Sequence, residues 1–184
     1  MRVLSIERDR QLKGHYMEIR VGRLSDVAGI TGIFNFYIKH TNARFEEEEF
    51  TLENRQHWFA QFSNNSKYQL YVATENGALL GFACSQQYRV MSAFEGTVEI
   101  TVYLSEEVTG KGLGSQLYSQ LFSSISVHGV HRALSGVALP NDASIALHKS
   151  FGFREVGVFK EYAKKNGQYI SSMWLEKVFN LESD

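Results

Sequence analysis

Residues 98–115 constrain this chain more than any other stretch. Val98-Glu99-Ile100-Thr101-Val102-Tyr103-Leu104 is β-branched and aromatic, the composition of a buried strand, and carries one carboxylate in its middle. Ser105 to Thr109 leads to Gly110-Lys111-Gly112-Leu113-Gly114-Ser115. Behind that loop Leu113, Leu117, Leu121 and Ile125 recur every fourth residue, which predicts a helix over 112–127 closed by His128-Gly129. A strand, a glycine loop and a helix N-terminus together hold phosphate well. Free backbone N–H groups and the helix dipole favour negative charge there, and glycine lets the backbone come close. Two familiar loops are excluded. Lys111 is followed by Gly112, so no hydroxyl stands ready for a magnesium ion as in a mononucleotide P-loop. The glycines fall at 110, 112 and 114, late in the chain, unlike a dinucleotide fingerprint.

The rest of the chain bounds the context. Its 184 residues, 43% hydrophobic, suffice for one domain with a full core. A net charge of -1 gives no basic excess for nucleic acid or an anionic membrane. No apolar run approaches the roughly 18 residues of a membrane span. The single cysteine, Cys84, excludes an internal disulfide framework, fits a cytoplasmic, reducing location, and lies in a strand-like run where core packing is its expected role. Residues 1–16 lack the apolar core of a signal peptide, and Glu7 and Asp9 argue against a transit peptide. We read them as a poorly ordered leader, residues 17–179 as the single domain and 180–184 as a tail.

In chain order, residues 18–21 alternate as a strand. A helix follows over 27–39, capped by Ser25 or Asp26, and a second over 52–62, whose Trp58, Phe59 and Phe62 are expected to face the core. Glu46 to Glu49 read as a solvated face. Strands over 68–74 and 78–85 meet at Asn76-Gly77, a strong hairpin signal. After the strand, loop and helix described above come a strand over 133–139, a short helix through Lys149, a strand over 153–159, a turn at residues 164–167 and a last strand over 169–176. The order β-α-α-β-β-β-α-β-α-β-β predicts an α/β domain with a mixed sheet.

The run TVEITVY, a short acidic connection and TGKGLGSQLY resemble motif A of the GCN5-related N-acetyltransferases (GNAT). Pro140-Asn141-Asp142-Ala143-Ser144-Ile145-Ala146-Leu147-His148-Lys149-Ser150-Phe151-Gly152-Phe153 resembles that family's motif B. The resemblance covers about residues 18–177. It is nearest to the phosphinothricin and methionine sulfone acetyltransferase branch, which shares the T-V-E strand, L-P-N-D and the motif-B histidine. It implies a mostly antiparallel, splayed central sheet flanked by helices, acetyl-CoA as acyl donor, no metal, and by analogy a homodimer. The family's glutamine or arginine three residues before Gly112 is replaced here by Thr109.

The same resemblance assigns roles. The loop residues Gly110, Lys111, Gly112, Leu113, Gly114 and Ser115 would bind the coenzyme pyrophosphate. Val102, Tyr103 and Leu104 would run beside the pantetheine, Asn141 would bond it, and Ser150 would lie near its far end. Alternation puts Glu99 with Thr97, Thr101 and Tyr103 on one strand face. A carboxylate there is costly to bury unpaired, so Glu99 is read as a general base, with a structural hydrogen bond or ion pair as the alternative. His148 lies seven residues after Asn141, on the same helix face. It would protonate the departing thiolate, with Tyr103, Tyr118 or Tyr162 as substitutes. For the acceptor, Arg89 matches an arginine that relatives use to hold a substrate carboxylate, whereas Glu95 stands where some carry a second. Phe36, Tyr37, Arg44, Phe45, Tyr88 and Phe94 are candidate pocket liners. The expected activity is acetyl transfer to the primary amine of a small amino acid or analogue. The alternatives are an acetyltransferase of protein N-termini or polyamines, and a non-catalytic coenzyme-binding module.

Overall fold

Alternating side chains give the central sheet two apolar faces, and helices cover each. The computed structural model describes residues 17–179. The leader and tail expected at 1–16 and 180–184 lie outside the described residues. The elements are β1 (Met17–Val21), α1 (Val27–His40), α2 (Leu52–Phe59), β2 (Leu70–Glu75), β3 (Ala78–Gln87), β4 (Thr97–Leu104), α3 (Leu113–Ile125), β5 (Arg132–Ala138), α4 (Asp142–Ser150), β6 (Arg154–Lys165) and β7 (Gln168–Val178). The sheet order is β1-β2-β3-β4-β5-β7-β6. Every neighbouring pair is antiparallel except β4 with β5. That is the mixed, mostly antiparallel sheet expected. It is splayed, because β4 and β5 pair only where Thr97–Glu99 face Arg132–Leu134.

On one face Val98, Ile100, Ala133, Val137 and Leu175 pack against Leu113, Leu117, Tyr118, Leu121 and Ile125 of α3. On the other, Leu70, Val72, Phe82 and Cys84 meet Ile30, Ile33 and Phe34 of α1, with Trp58, Phe59 and Phe62 packed beside them. Each fully buried Leu, Ile or Phe in these clusters stabilises the fold by roughly 1.5–3 kcal/mol. Cys84 is fully buried in the second cluster, in its expected packing role. Glu47, Glu48 and Glu49 are exposed, and Glu46 pairs with Arg44.

Two boundaries differ from the sequence reading by three residues or more. Helix α2 stops at Phe59 rather than Phe62, because Ala60 N–H bonds the His57 carbonyl and Phe62 N–H the Phe59 carbonyl, tight bonds that turn the chain out of the helix. The Phe62 ring still reaches Trp58, at 4.8 Å. Strand β6 continues past Phe159 to Lys165, with its register broken between Phe159 and Ala163 around Glu161, whose φ is +52°. The turn therefore narrows to Asn166-Gly167, left-handed at both residues (φ 48° and 79°), like Asn76-Gly77 (φ 50° and 84°).

That longer hairpin clamps the segment after α1. Lys165 is only 2% exposed. Its ammonium donates to the carbonyls of Ile38 (2.6 Å), Thr41 (2.8 Å) and Arg44 (2.9 Å). Next to it, Asn166 N–H donates to Glu47 Oε1 at 2.6 Å. All three lysine protons are thus used around a helix C-terminus, where carbonyls lack partners and the dipole favours a cation. Lys165→Met is expected to lower stability by about 2–4 kcal/mol, since bonds to a charged donor are lost and buried carbonyls are left unpaired. Denaturant unfolding checks this, and an unchanged midpoint would contradict it.

Candidate active site

Where β4 and β5 part, a cleft of about 540 Å³ crosses the sheet. On the α3 face it is lined by Val102 and Leu104, the glycines of the 110–114 loop, and Asn141, His148 and Ser150 around α4. On the α1 face it is lined by Thr101, Tyr103, Tyr37 and Ala43. Strand alternation explains the division, since 102 and 104 point one way and 101 and 103 the other. The volume suits a small-molecule site.

The loop end is built for an anion. Gly110 (φ 75°) and Gly112 (φ 78°) are left-handed, a conformation that penalises any side chain. Gly112 is the N-cap of α3, and no side chain among the described residues caps that helix. The Thr109 hydroxyl instead donates to the Glu106 carbonyl at 3.2 Å. The first-turn amides of α3 have no partner within the helix, so they remain available at the cleft. The Leu113 side chain is buried in the core, so Leu113 offers only its backbone N–H. At Gly114 a Cβ would stand 3.2 Å from Leu147 Cδ2, so this glycine also lets α3 pack on α4. Lys111 is exposed, lies off the cleft lining, and bonds the Glu107 carbonyl at 3.0 Å. Ser150 lines the cleft with its hydroxyl donated to the Leu147 carbonyl at 2.7 Å.

Asn141 is the N-cap of α4: its Oδ1 accepts the Ser144 N–H at 3.1 Å, which leaves the Nδ2 protons for the cleft. His148 is buried. Its Nδ1 lies 2.7 Å from the Ser144 carbonyl oxygen, which can only accept, so Nδ1 carries the proton. Nε2 lies 2.9 Å from the Tyr118 hydroxyl. Burial pushes the His148 pKa down, so the neutral ring accepts from Tyr118. Burial holds the Tyr118 hydroxyl well above its ordinary pKa. The expected proton donor, His148, therefore has both nitrogens engaged, and the one proton between the two side chains belongs to Tyr118 Oη and is donated to Nε2.

Glu99 lies opposite Gln86 and, on the other side, beside Leu134, at the end of the last β4–β5 pairing. It is half-buried, two residues along the same strand face from Thr101, and has no hydrogen bond or ion pair among the described residues. Desolvation raises its pKa, and the positive charge of Arg44 opposes that rise. Arg89 is exposed, its guanidinium 5.1 Å from the Tyr88 ring centre and 5.2 Å from that of Phe94. Phe45 packs on Tyr162, 5.7 Å between ring centres, and is not part of the cleft lining. The structure thus brings Tyr37 and Tyr103 to the cleft, sets Arg89 and Phe94 together on a rim, and leaves Phe45 apart.

The acetyltransferase (GNAT) domain profile matches residues 19–174. The chain belongs to the GNAT acetyltransferase family. It is 39% identical over 163 residues to a phosphinothricin N-acetyltransferase of Streptomyces coelicolor, covering 88% of this chain and 95% of that one. It is 33% identical over 159 residues to the L-methionine sulfoximine/L-methionine sulfone acetyltransferase of Pseudomonas paraeruginosa, covering 86% and 92%. Its fold matches, with a TM-score of 0.83 and 27% identity, the crystal structure of a GNAT phosphinothricin acetyltransferase from Sinorhizobium meliloti in complex with acetyl-CoA, covering 89% of this chain and 88% of that one.

This GNAT enzyme is an acetyl-CoA-dependent N-acetyltransferase. Three of its cleft-side features escape sequence reasoning. The Tyr118–His148 bond joins two helices 30 residues apart. Trp174 lies against Gly136, where a Cβ would meet its ring at 3.2 Å, and its Nε1 is buried without a partner among the described residues. Arg55 approaches the aromatic cluster under α1 from the helix whose Trp58, Phe59 and Phe62 were expected to face the core. Tyr118 and His148 were legible singly, but not their bond. Gly112→Val is expected to weaken acetyl-CoA binding about tenfold with the fold intact, because the left-handed conformation is lost at the anion cradle. Gly114→Val is expected to lower the melting temperature as well, through the Leu147 contact. Calorimetric titration beside thermal melting separates the two.

Proposed function

We propose that the enzyme moves the acetyl group of acetyl-CoA directly to the primary amine of a small amino acid or analogue, of the phosphinothricin or methionine sulfone type, with Glu99 as general base. The observation that carries this is Glu99 itself, a half-buried carboxylate without a hydrogen bond among the described residues at the point where the sheet opens. A carboxylate whose pKa is raised by desolvation is a stronger base than a solvated glutamate.

The residues present fit the coenzyme. The uncapped α3 N-terminus with Gly110 and Gly112 would hold the pyrophosphate, and the open edge of β4 from Val102 to Leu104 would run beside the two pantetheine amides. Asn141 would donate from Nδ2. Bound acetyl-CoA supplies the thioester carbon that the amine nitrogen attacks and the thiolate that leaves. Glu99 takes the proton that the ammonium must lose. Tyr118 turns its Oη proton from His148 Nε2 to the thiolate, and the phenolate left behind takes a proton back from solvent. Glu47, Glu48 and Glu49 are exposed around a separate hollow with Lys164, and Glu46 is paired with Arg44, so the run favours the polyamine reading less. The reading also carries a homodimer in the cytoplasm, the dimer to be checked by light scattering.

Glu99→Gln is expected to lower kcat at least about a hundredfold and leave acetyl-CoA affinity unchanged. It is also expected to raise the melting temperature at pH 7, because the raised pKa means that the fold disfavours the ionised form; this gain should vanish as pH falls below the ordinary carboxylate range. A loss of coenzyme affinity with kcat intact would make Glu99 structural. In the wild type, activity should fall as pH drops through the raised Glu99 pKa. Tyr118→Phe is expected to lower kcat about ten- to a hundredfold with little change in KM for acetyl-CoA. A wild-type kcat in that variant would remove Tyr118 from the proton path.

A further inference from the structure

Two guanidiniums converge on the sheet face that carries Glu99. Arg44, in the segment after α1, stands 5.0 Å from the Phe34 ring centre, 5.6 Å from that of Phe50 and 5.9 Å from that of Tyr103. Arg55, from α2, stands 3.7 Å from the Phe50 ring centre and 5.3 Å from that of Trp58. Rings stabilise cations, but they do not neutralise them. Arg44 bonds Glu46, through Nε at 2.9 Å and also through Nη2. Arg55 bonds only the side-chain oxygen of Asn54, at 2.9 and 2.6 Å, and pairs with no carboxylate among the described residues. Glu46 is thus bonded to Arg44 alone, and Arg55 is left without a bonded carboxylate among the described residues. Desolvation and the neighbouring Arg44 accordingly press the Arg55 pKa down to about 10.

The cations are held in place. The Arg44 carbonyl accepts from Lys165 at 2.9 Å, and the adjacent Ala43 carbonyl accepts from the Tyr103 hydroxyl at 3.1 Å. Ala43 and Tyr103 line the cleft, and Arg44 adjoins it as the chain neighbour of one and within 5.9 Å of the ring of the other. Arg89, by contrast, is exposed on its own rim over Tyr88 and Phe94.

We propose that Arg44 and Arg55 form the anion subsite of the acceptor, so that an amino-acid-like substrate lies with its acidic group towards the two guanidiniums and its amine towards Glu99. This rests on the acetyl-transfer reading above and deepens it. The positive pole and the negative pole on one sheet face complement a zwitterion. A diamine would set its second ammonium against two guanidiniums, and an amide would bring no anion to Arg55.

The test follows thiol release from acetyl-CoA with methionine sulfone, its carboxamide and putrescine, for the wild type and for Arg44→Met, Arg55→Met and Arg89→Met. The wild type is expected to favour the acid over the carboxamide at least about tenfold in kcat/KM. Arg44→Met and Arg55→Met are each expected to raise KM for the acid about 10–100-fold, with KM for the carboxamide and for acetyl-CoA nearly unchanged. Loss of the acid preference in Arg89→Met, with the preference kept in Arg44→Met and Arg55→Met, would assign the anion subsite to Arg89 and overturn the proposal. Thermal melts report whether each variant folds; if the methionine variants do not, Arg44→Lys and Arg55→Lys, which keep the charge but lose the planar fork, should still erode the preference severalfold. An acid-to-carboxamide ratio unchanged in the folded Arg44 and Arg55 variants overturns the proposal. No thiol release from the wild type with any amine overturns the acetyl-transfer reading and the proposal with it, so the two failures are distinct.

Discussion

The parting of β4 from β5 is the constraint on which the rest of the molecule depends. Two parallel strands that pair over Thr97–Glu99 and Arg132–Leu134 and then separate leave two edges of peptide N–H and C=O groups facing a gap. Such groups need partners, so a split through the middle of a sheet is tolerable where water or an extended ligand can supply them. Both apolar clusters stay closed around the split, because α3 covers one face and α1 with α2 the other. The gap is therefore a passage between the two faces. An acyl donor bound against α3 and α4 can present its thioester to an amine bound beneath α1 and α2, with Glu99 at the closed end of the passage.

Charge is arranged around that passage at some expense to stability. Among the described residues the α3 N-terminus has no capping side chain, the Glu99 carboxyl is raised by desolvation, and Arg55 is a half-buried cation with no carboxylate partner. Each feature destabilises the unliganded fold and complements a ligand, a trade common at functional sites. Lys165 offsets part of this. It reaches from the β6–β7 hairpin to three carbonyls at the end of α1, so the segment bearing Arg44 is tied to the far side of the sheet.

Local chemistry was readable in the chain; pairings between distant residues were not. Gly110 and Gly112 have the left-handed backbone that the loop pattern implies, and Asn76-Gly77 makes the hairpin that its dipeptide announces. The four-apart leucines of α3 face the core as their spacing requires. The second hairpin was harder, since Lys164-Lys165-Asn166-Gly167 reads as a polar four-residue turn. In the fold, Lys165 belongs to the strand and is buried, because its ammonium finds carbonyls more than 120 residues earlier. Tyr118 and His148 were each legible as candidate donors, but the proton's location depends on their hydrogen bond across two helices. Arg89 resembled a carboxylate holder by position, whereas the exposed rim it occupies depends on the Tyr88 and Phe94 rings. Arg55 sits on a short helix whose pattern carries little apolar bias, and its stacking on Phe50 comes from the loop folding back.

The claim that the split sheet and the uncapped α3 terminus receive the coenzyme is tested most directly by amide hydrogen exchange with and without acetyl-CoA. The account predicts added protection at Val102 to Leu104 and at Leu113 to Ser115, with the β1–β2 and β6–β7 pairings unchanged. Saturating acetyl-CoA that leaves those two segments exchanging as in the free protein, and protects another surface, would contradict it.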